Sequence, residues 1–283
     1  MPLVKPFTSC YARPVEGDYE FFLTDHLKQV ACCWGRIDGN LTEKLYFLGG
    51  LCHDAAKARY EWQIKLTAPK RPVHSLPSAV IFSYYACQLL QKWDYPNAKE
   101  SIILKAVVLK IIRDICDHHD VLRDIELECP WSGATKRQLF FSDIDLDGLH
   151  QFIVHYFNEI ADEPPPSDQQ LRAWSKEFNR TWTKWQVSEM ALFAERISML
   201  KGINIKDGER FCCARDRTAS FILGDRLDAA RIDTVILDKA MVQEAIANLE
   251  CYCIRRGKEL IDQDPTYRTM VEKRRQAQIN SLN

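Results

Sequence analysis

Apolar residues recur every three to four positions through most of the chain. The pattern runs through YEFFLTDHLKQVACCWG (19–35), EKLYFLGGLCHDAAKARYEWQ (43–63), SAVIFSYYACQLLQKW (78–93) and ESIILKAVVLKIIRDICDHH (100–119). It continues in DGLHQFIVHYFNEI (147–160), VSEMALFAERISMLKG (187–202) and AMVQEAIANLECYCIRRGKEL (240–260). This is the period of amphipathic helices; strand-like alternation is scarce, and the predicted fold class is all-α. Breakers fall at TAPKRPVHS (67–75), ECPWSGATKRQ (128–138) and ADEPPPSD (161–168), which predict loops. Because helical pattern resumes on both sides of the three prolines, that loop is read as an excursion within one domain.

Composition narrows the class without naming a chemistry. The chain is 46% hydrophobic and 27% charged over 283 residues, enough for a substantial core. No run reaches the roughly 18 uncharged apolar residues that span a bilayer, and the start has no secretory apolar stretch. A soluble, cytoplasmic protein with no membrane partner is expected. Cys32 and Cys33 are adjacent, as are Cys212 and Cys213, and no C-x-x-C pair occurs among the eleven cysteines, so small buried thiols are expected rather than zinc or disulfides. A net charge of −1 gives the whole chain no pull on a polyanion, leaving local basic clusters to carry any such role.

The candidate chemistry lies in the seven histidines. His150 and His155, in GLHQFIVHYF, have no adjacent carboxylate and are left out of the site. His53 and Asp54 interrupt the apolar run LYFLGGLCHDAAKA, where two polar groups are costly without partners, and a divalent first-row metal ion satisfies both. Lys57, four residues after His53, is expected on the same helical face. His118 and His119 differ in direction by about 100° on a regular helix, so they converge only at a helix end. The apolar period stops at Cys116, which puts such an end there.

Taken in order, these pieces resemble the HD superfamily of metal-dependent phosphohydrolases. The set is His26 in an early helix, H-D-x-x-K at His53, Asp54 and Lys57, a lone His74, the pair His118 and His119, and a late Asp225 in GDRLDA. More narrowly it is similar to the HD nuclease of the type I CRISPR-associated nuclease-helicase, through HLKQVA at His26, LCHDAAKARYEWQ, His74-Ser75 and GDRLDA. The likeness spans roughly residues 19 to 230. Two features depart from that pattern: Ala56 stands where a glycine usually precedes the lysine, and Arg13 lies nearest the place of an N-terminal histidine.

The resemblance implies an HD-domain helical bundle over 1–240, with a C-terminal helical extension, 241–283, leading toward a fused or separate helicase. It implies one ion held by His26, His53, Asp54 and Asp225, and a second by His74, His118 and His119 with Asp54 bridging. Asp54 and Lys57 are then the catalytic pair, Lys57 meeting the scissile phosphate. Nitrogen-rich ligands favour Mn, Fe, Co or Ni over Mg. The implied activity is metal-dependent cleavage of single-stranded DNA in CRISPR interference, acting with a helicase and a Cascade-type guide-RNA complex. Lys65, Lys70 and Arg71 before His74, and Lys136 with Arg137 after a stacking Trp131, are the candidate strand contacts. The rival readings are an HD-type nucleotide phosphohydrolase and a non-catalytic helical adaptor.

Overall fold

The computed structural model describes residues 3–15, 20–68, 70–93, 98–119, 129–200 and 217–226, with backbone alone at Lys99 and over 189–200. All lie in the compact unit Met1–Val235. The structure is all-α; among the described residues the nearest thing to a sheet is one antiparallel bridge between Tyr11 and Phe22. The helices are α1 (Leu23–Trp34), α2 (Leu41–Cys52), a single turn α3 (Tyr60–Gln63), α4 (Ser75–Gln91), α5 (Ala98–Asp117), α6 (Leu146–Val154) and α7 (Asp168–Leu200). Residues 217–226 form an eighth, α8. None of the described helices is long and apolar enough to cross a membrane.

α2 is the axis of the bundle. Asn40 caps it by accepting a hydrogen bond from the Glu43 amide at 3.0 Å. From Leu45 to Cys52 every side is buried, as expected for a helix enclosed by others, and α1, α4 and α5 pack around it. α1 turns Leu23, Leu27, Val30, Ala31 and Trp34 inward, and His26 lies on that same stripe. α5 buries Leu104, Val108, Ile111, Ile112 and Ile115, and the turn beyond its end carries on the row with His118.

Gly49 and Gly50 explain how three helices converge one turn before His53. A Cβ on Gly50 would sit 2.6 Å from the Ala31 backbone nitrogen of α1, and one on Gly49 would sit 2.7 Å from Ile111 of α5. Their missing side chains let α1 and α5 close on α2 from two sides. His26 and His118 are thereby drawn toward His53. Gly50→Ala is expected to force α1 outward, costing about 1–3 kcal/mol of stability as overpacking does. Thermal melting checks this: an unchanged midpoint would mean that α1 shifts freely.

Two expectations about elements are corrected. The segment 43–63 is not one helix. α2 ends at Cys52, His53 and Asp54 form a turn, Ala55–Ala58 is a short 3-10 helix, and only then comes α3. Lys57 therefore reaches Asp54 across that tighter turn, as an i,i+3 pair, rather than along a shared α-helical face with His53. α7 begins at Asp168, well before the predicted 187. A reciprocal cap starts it: the Gln170 amide donates to Ser167 Oγ at 3.2 Å while Gln170 Oε1 accepts from the Ser167 amide at 2.8 Å. The predicted helix 240–260 and the extension 241–283 lie outside the described residues.

Candidate metal centre

The turn after α2 presents His53 and Asp54, both fully buried. His53 Nδ1 donates to the Gly50 carbonyl at 2.7 Å, one turn back, and this fixes its tautomer: Nε2 carries the lone pair and faces the interior of the bundle. The turn after α5 repeats the device. His118 Nδ1 donates to the Ile115 carbonyl at 2.7 Å, again leaving Nε2 as an acceptor. Such a carbonyl-anchored histidine is how proteins orient imidazole for a metal.

Asp54 stands between two histidine groups. Its Oδ2 is 3.2 Å from His26 Nε2 and 3.5 Å from His53 Nε2, and it is ion-paired with Lys57 Nζ. Its Oδ1 is 3.1 Å from His74 Nε2 and 3.4 Å from His118 Nε2. His26 Nε2 and His53 Nε2 are 3.1 Å apart, and His74 Nε2 and His119 Nε2 are 2.9 Å apart. Asp225, on α8, brings Oδ1 to 3.7 Å from His26 Nε2 and 4.0 Å from His53 Nε2. Two groups result, His26, His53, Asp54 and Asp225, and Asp54, His74, His118 and His119, each with one ligand atom per residue within 4.8 Å of the others.

Every expected ligand is thus brought to one place, and the donor set fits divalent cations. His118 Nε2 and Asp54 Oδ1 are buried without a hydrogen bond, although they face each other. A lone pair opposed to a carboxylate oxygen in a buried site is costly, and a cation between them removes the conflict. The two groups could hold metal ions.

Charge favours the same occupant. Burial pushes the His53 imidazole down to about 3, and burial together with His118 and His74 does the same to His119. Burial also lowers His74, against the pull of Asp54. Burial works to raise the Asp54 carboxyl, but Lys57, His53 and His74 hold it well below the carboxylate range. Asp225 is likewise lowered, His53 and His26 outweighing its burial and the nearby Asp54. At neutral pH His53, His74 and His119 are therefore neutral and Asp54 and Asp225 ionised, the states in which such ligands bind metal.

The sign of the pH effect on stability follows from His53 and His119. Between their folded values near 3 and the ordinary 6.5, the unfolded chain binds the protons that the folded chain refuses. Stability from these groups is complete above the ordinary value and is lost as pH falls through this window. In chelator, the melting temperature is expected to fall steadily from about pH 7 to about pH 5. A flat profile would mean that these histidines protonate freely in the fold.

α8 closes the first group. Arg217 donates to the Trp34 carbonyl at 2.8 Å and pairs with Glu43, and Thr218 donates to buried Asp114 at 3.2 Å. Phe221 stacks on Trp34 with centroids 4.0 Å apart and sets its edge against His53 at 5.3 Å. Gly224, whose Cβ would lie 2.8 Å from Cys33 Cβ, lets α8 approach α1 and deliver Asp225. The sequence reading missed Phe221, although its spacing of four from Asp225 puts both on one helical face. It also missed Gln63, whose amide donates to the Lys57 carbonyl at 2.8 Å and the Tyr11 carbonyl at 2.9 Å, bracing the turn that carries Lys57.

The groups differ in access. All four residues of the first are buried, whereas His119 is exposed and His74 half-buried, so the cluster opens on the second group's side. Trp62, itself buried, sets its ring edge-on to His74 at 6.1 Å, with Lys57 Nζ 5.4 Å and the exposed Arg71 guanidinium 5.6 Å from its centre. The other basic candidates sit farther along α3 and its neighbours. Lys65 and Arg137 both pair with Glu61, at 2.8 and 3.2 Å; Lys136 is exposed, and so is Lys70 in its loop.

Trp131 requires a correction. It is 2% exposed and donates Nε1–H to the Ser175 carbonyl at 3.0 Å, so it is a core residue and no stacking platform. His150 is buried beside the Tyr85 hydroxyl at 3.1 Å, and His155 is exposed against Tyr156; neither joins the cluster. No family model matches the chain, and no curated protein or solved structure matches it either.

Proposed function

We propose that this protein is a metal-dependent nuclease that hydrolyses phosphodiesters of single-stranded DNA, in the manner of the HD nucleases its motifs resemble. The observation that supports it most is the single buried carboxylate of Asp54, each of whose oxygens faces a different histidine group. One such carboxylate can bridge two ions. The first would be held by His26, His53, Asp54 and Asp225, and the second by Asp54, His74, His118 and His119. The nitrogen-rich set favours Mn, Fe, Co or Ni. Ions of this class supply an acidified water at neutral pH and neutralise charge developing on phosphate oxygens.

The chain's own residues supply the rest. His53 and His118 present lone pairs locked by backbone carbonyls, so no reorientation is needed on binding. Lys57 keeps Asp54 ionised and, were Asp54 to hold a metal, would be free to meet a phosphate oxygen. The opening past His74 and His119 admits a strand, while the enclosed first group excludes bulk water. The strand delivered there would be one displaced by a guide RNA and fed by a helicase, fused or separate, working with a Cascade-type complex.

Chelation followed by add-back is the test, on circular single-stranded DNA and in parallel on a panel of nucleoside phosphates. Cleavage of the circle is expected to vanish in EDTA and return with Mn but not with Ca. Hydrolysis confined to the nucleoside phosphates would make the protein a nucleotide phosphohydrolase. Undiminished cutting in excess EDTA after dialysis would remove the metal from the account.

A further inference from the structure

α3 separates the metal centre from a second concavity. Trp62 faces the cluster, while Tyr60, Glu61 and Ile64 line a groove of about 690 Å3 whose far wall is the segment from Lys136 to Asp143, with Arg172 of α7. The walls are tied together: the Tyr60 amide donates to the Asp143 carbonyl at 3.0 Å, the Glu61 amide to Asp143 Oδ2 at 3.3 Å, and Arg59 Nε to Asp143 Oδ1 at 3.3 Å. The groove is therefore a built feature rather than a gap between loose loops.

Its lining sets aromatic rings beside guanidiniums. Phe140 has two of them near its ring, Arg59 at 5.6 Å and Arg172 at 5.1 Å from the centre. Leu3 and Ile64, 67% and 61% exposed, add apolar surface to the lining. Four cationic residues line the groove against two carboxylates. Glu61 is engaged by Lys65, Arg137 and Arg59, Asp143 by Arg59, and Arg172 by Asp168, so within the lining the cations exceed the carboxylates by two and Lys136 makes no ion pair among the described residues. The rim residues Lys136 and Arg137 are exposed, Arg137 by 82%.

We infer that this groove holds the stretch of single-stranded DNA adjoining the phosphodiester at the metal centre, with a base against Phe140 and Tyr60 and phosphates along Lys136 and Arg137. Aromatic faces interleaved with cations at strand spacing fit a polyanion that also carries flat apolar rings. An acidic peptide would satisfy the charges but leave the ring faces without a matching partner. The inference rests on the reading of the centre as one that cuts a strand, and Phe140 takes the stacking place expected of Trp131.

The test is fluorescence anisotropy of a labelled oligothymidylate of about 15 nucleotides with the full chain, in chelator so that nothing is cut. In Lys136→Ala with Arg137→Ala, affinity is expected to fall at least about tenfold, and the slope of log K against log salt to become shallower by about 1.4, two contacts at about 0.7 each for a single strand. Phe140→Leu keeps apolar volume but removes the ring, and should weaken binding several-fold with the slope unchanged. Melting temperature and Mn content are measured on each variant to show that fold and centre are intact. Affinity within twofold of the parent in both variants would overturn the inference. So would displacement of the DNA by polyglutamate as effectively as by unlabelled oligothymidylate, which would assign the groove to an acidic protein. If the parent cuts no phosphodiester but the variants still lose DNA, the groove stands and the hydrolase reading falls.

Discussion

Asp54→Asn should abolish metal binding in both groups at once. The amide keeps the shape of the carboxylate but not its charge, and one side chain serves all four histidines nearest to it. Bound transition metal is expected to fall from two ions per chain to well under one, and phosphodiester hydrolysis by on the order of a thousandfold or more. Lys57 would lose its buried partner as well, so the melting temperature in chelator should drop. Metal analysis after gel filtration, paired with a rate on single-stranded DNA, checks both. Retention of two ions by the asparagine variant would show that Asp54 is not shared.

His118→Ala should separate the two groups. His118 touches only Oδ1 of Asp54 and belongs to the group that opens outward, while His26, His53 and Asp225 stay complete without it. One of two ions is expected to remain, with hydrolysis reduced about a hundredfold or more. Loss of both ions would mean that the groups fill as one unit. Full activity with a single ion would mean that the first group suffices. The melting curve of the variant shows whether the vacated space, rather than the missing ligand, is responsible.

The helices around the site were legible in the sequence because each carries its own apolar stripe. α1 and α5 could be read from Leu27, Val30 and Trp34 and from Val108, Ile111 and Ile115 without knowing what they pack against. The same local signal placed His118 and His119 at a helix end, and α5 stops at Asp117. The break after Cys52 was not legible, because the apolar run resumes after His53 and Asp54 at Ala55, Ala56 and Ala58, and no proline or glycine stands at the break. The start of α7 was missed because its buried residues, Leu171, Phe178 and Trp182, are spread thinly among charges; the cap formed by Ser167 and Gln170 was the usable sign.

Burial at long range is what local patterns do not carry. Trp131 sits in a loop full of breakers yet fills the core beneath α7, through a hydrogen bond to Ser175 that no spacing foretells. Phe140 and Arg172 are joined only in the folded chain. The glycine pair at 49 and 50 was in plain view, but its purpose depends on Ala31 and Ile111 arriving from other helices. The HD doublet alone conveyed little. Its meaning comes from the convergence of four helices, and the turns between them, on one carboxylate.

Equilibrium dialysis of the 283-residue chain against Mn, with the bound metal counted, tests the central claim most directly. Two ions per chain in the parent, none in Asp54→Asn and one in His118→Ala is the pattern expected of two groups sharing a carboxylate. A parent chain that retains no transition ion would contradict it.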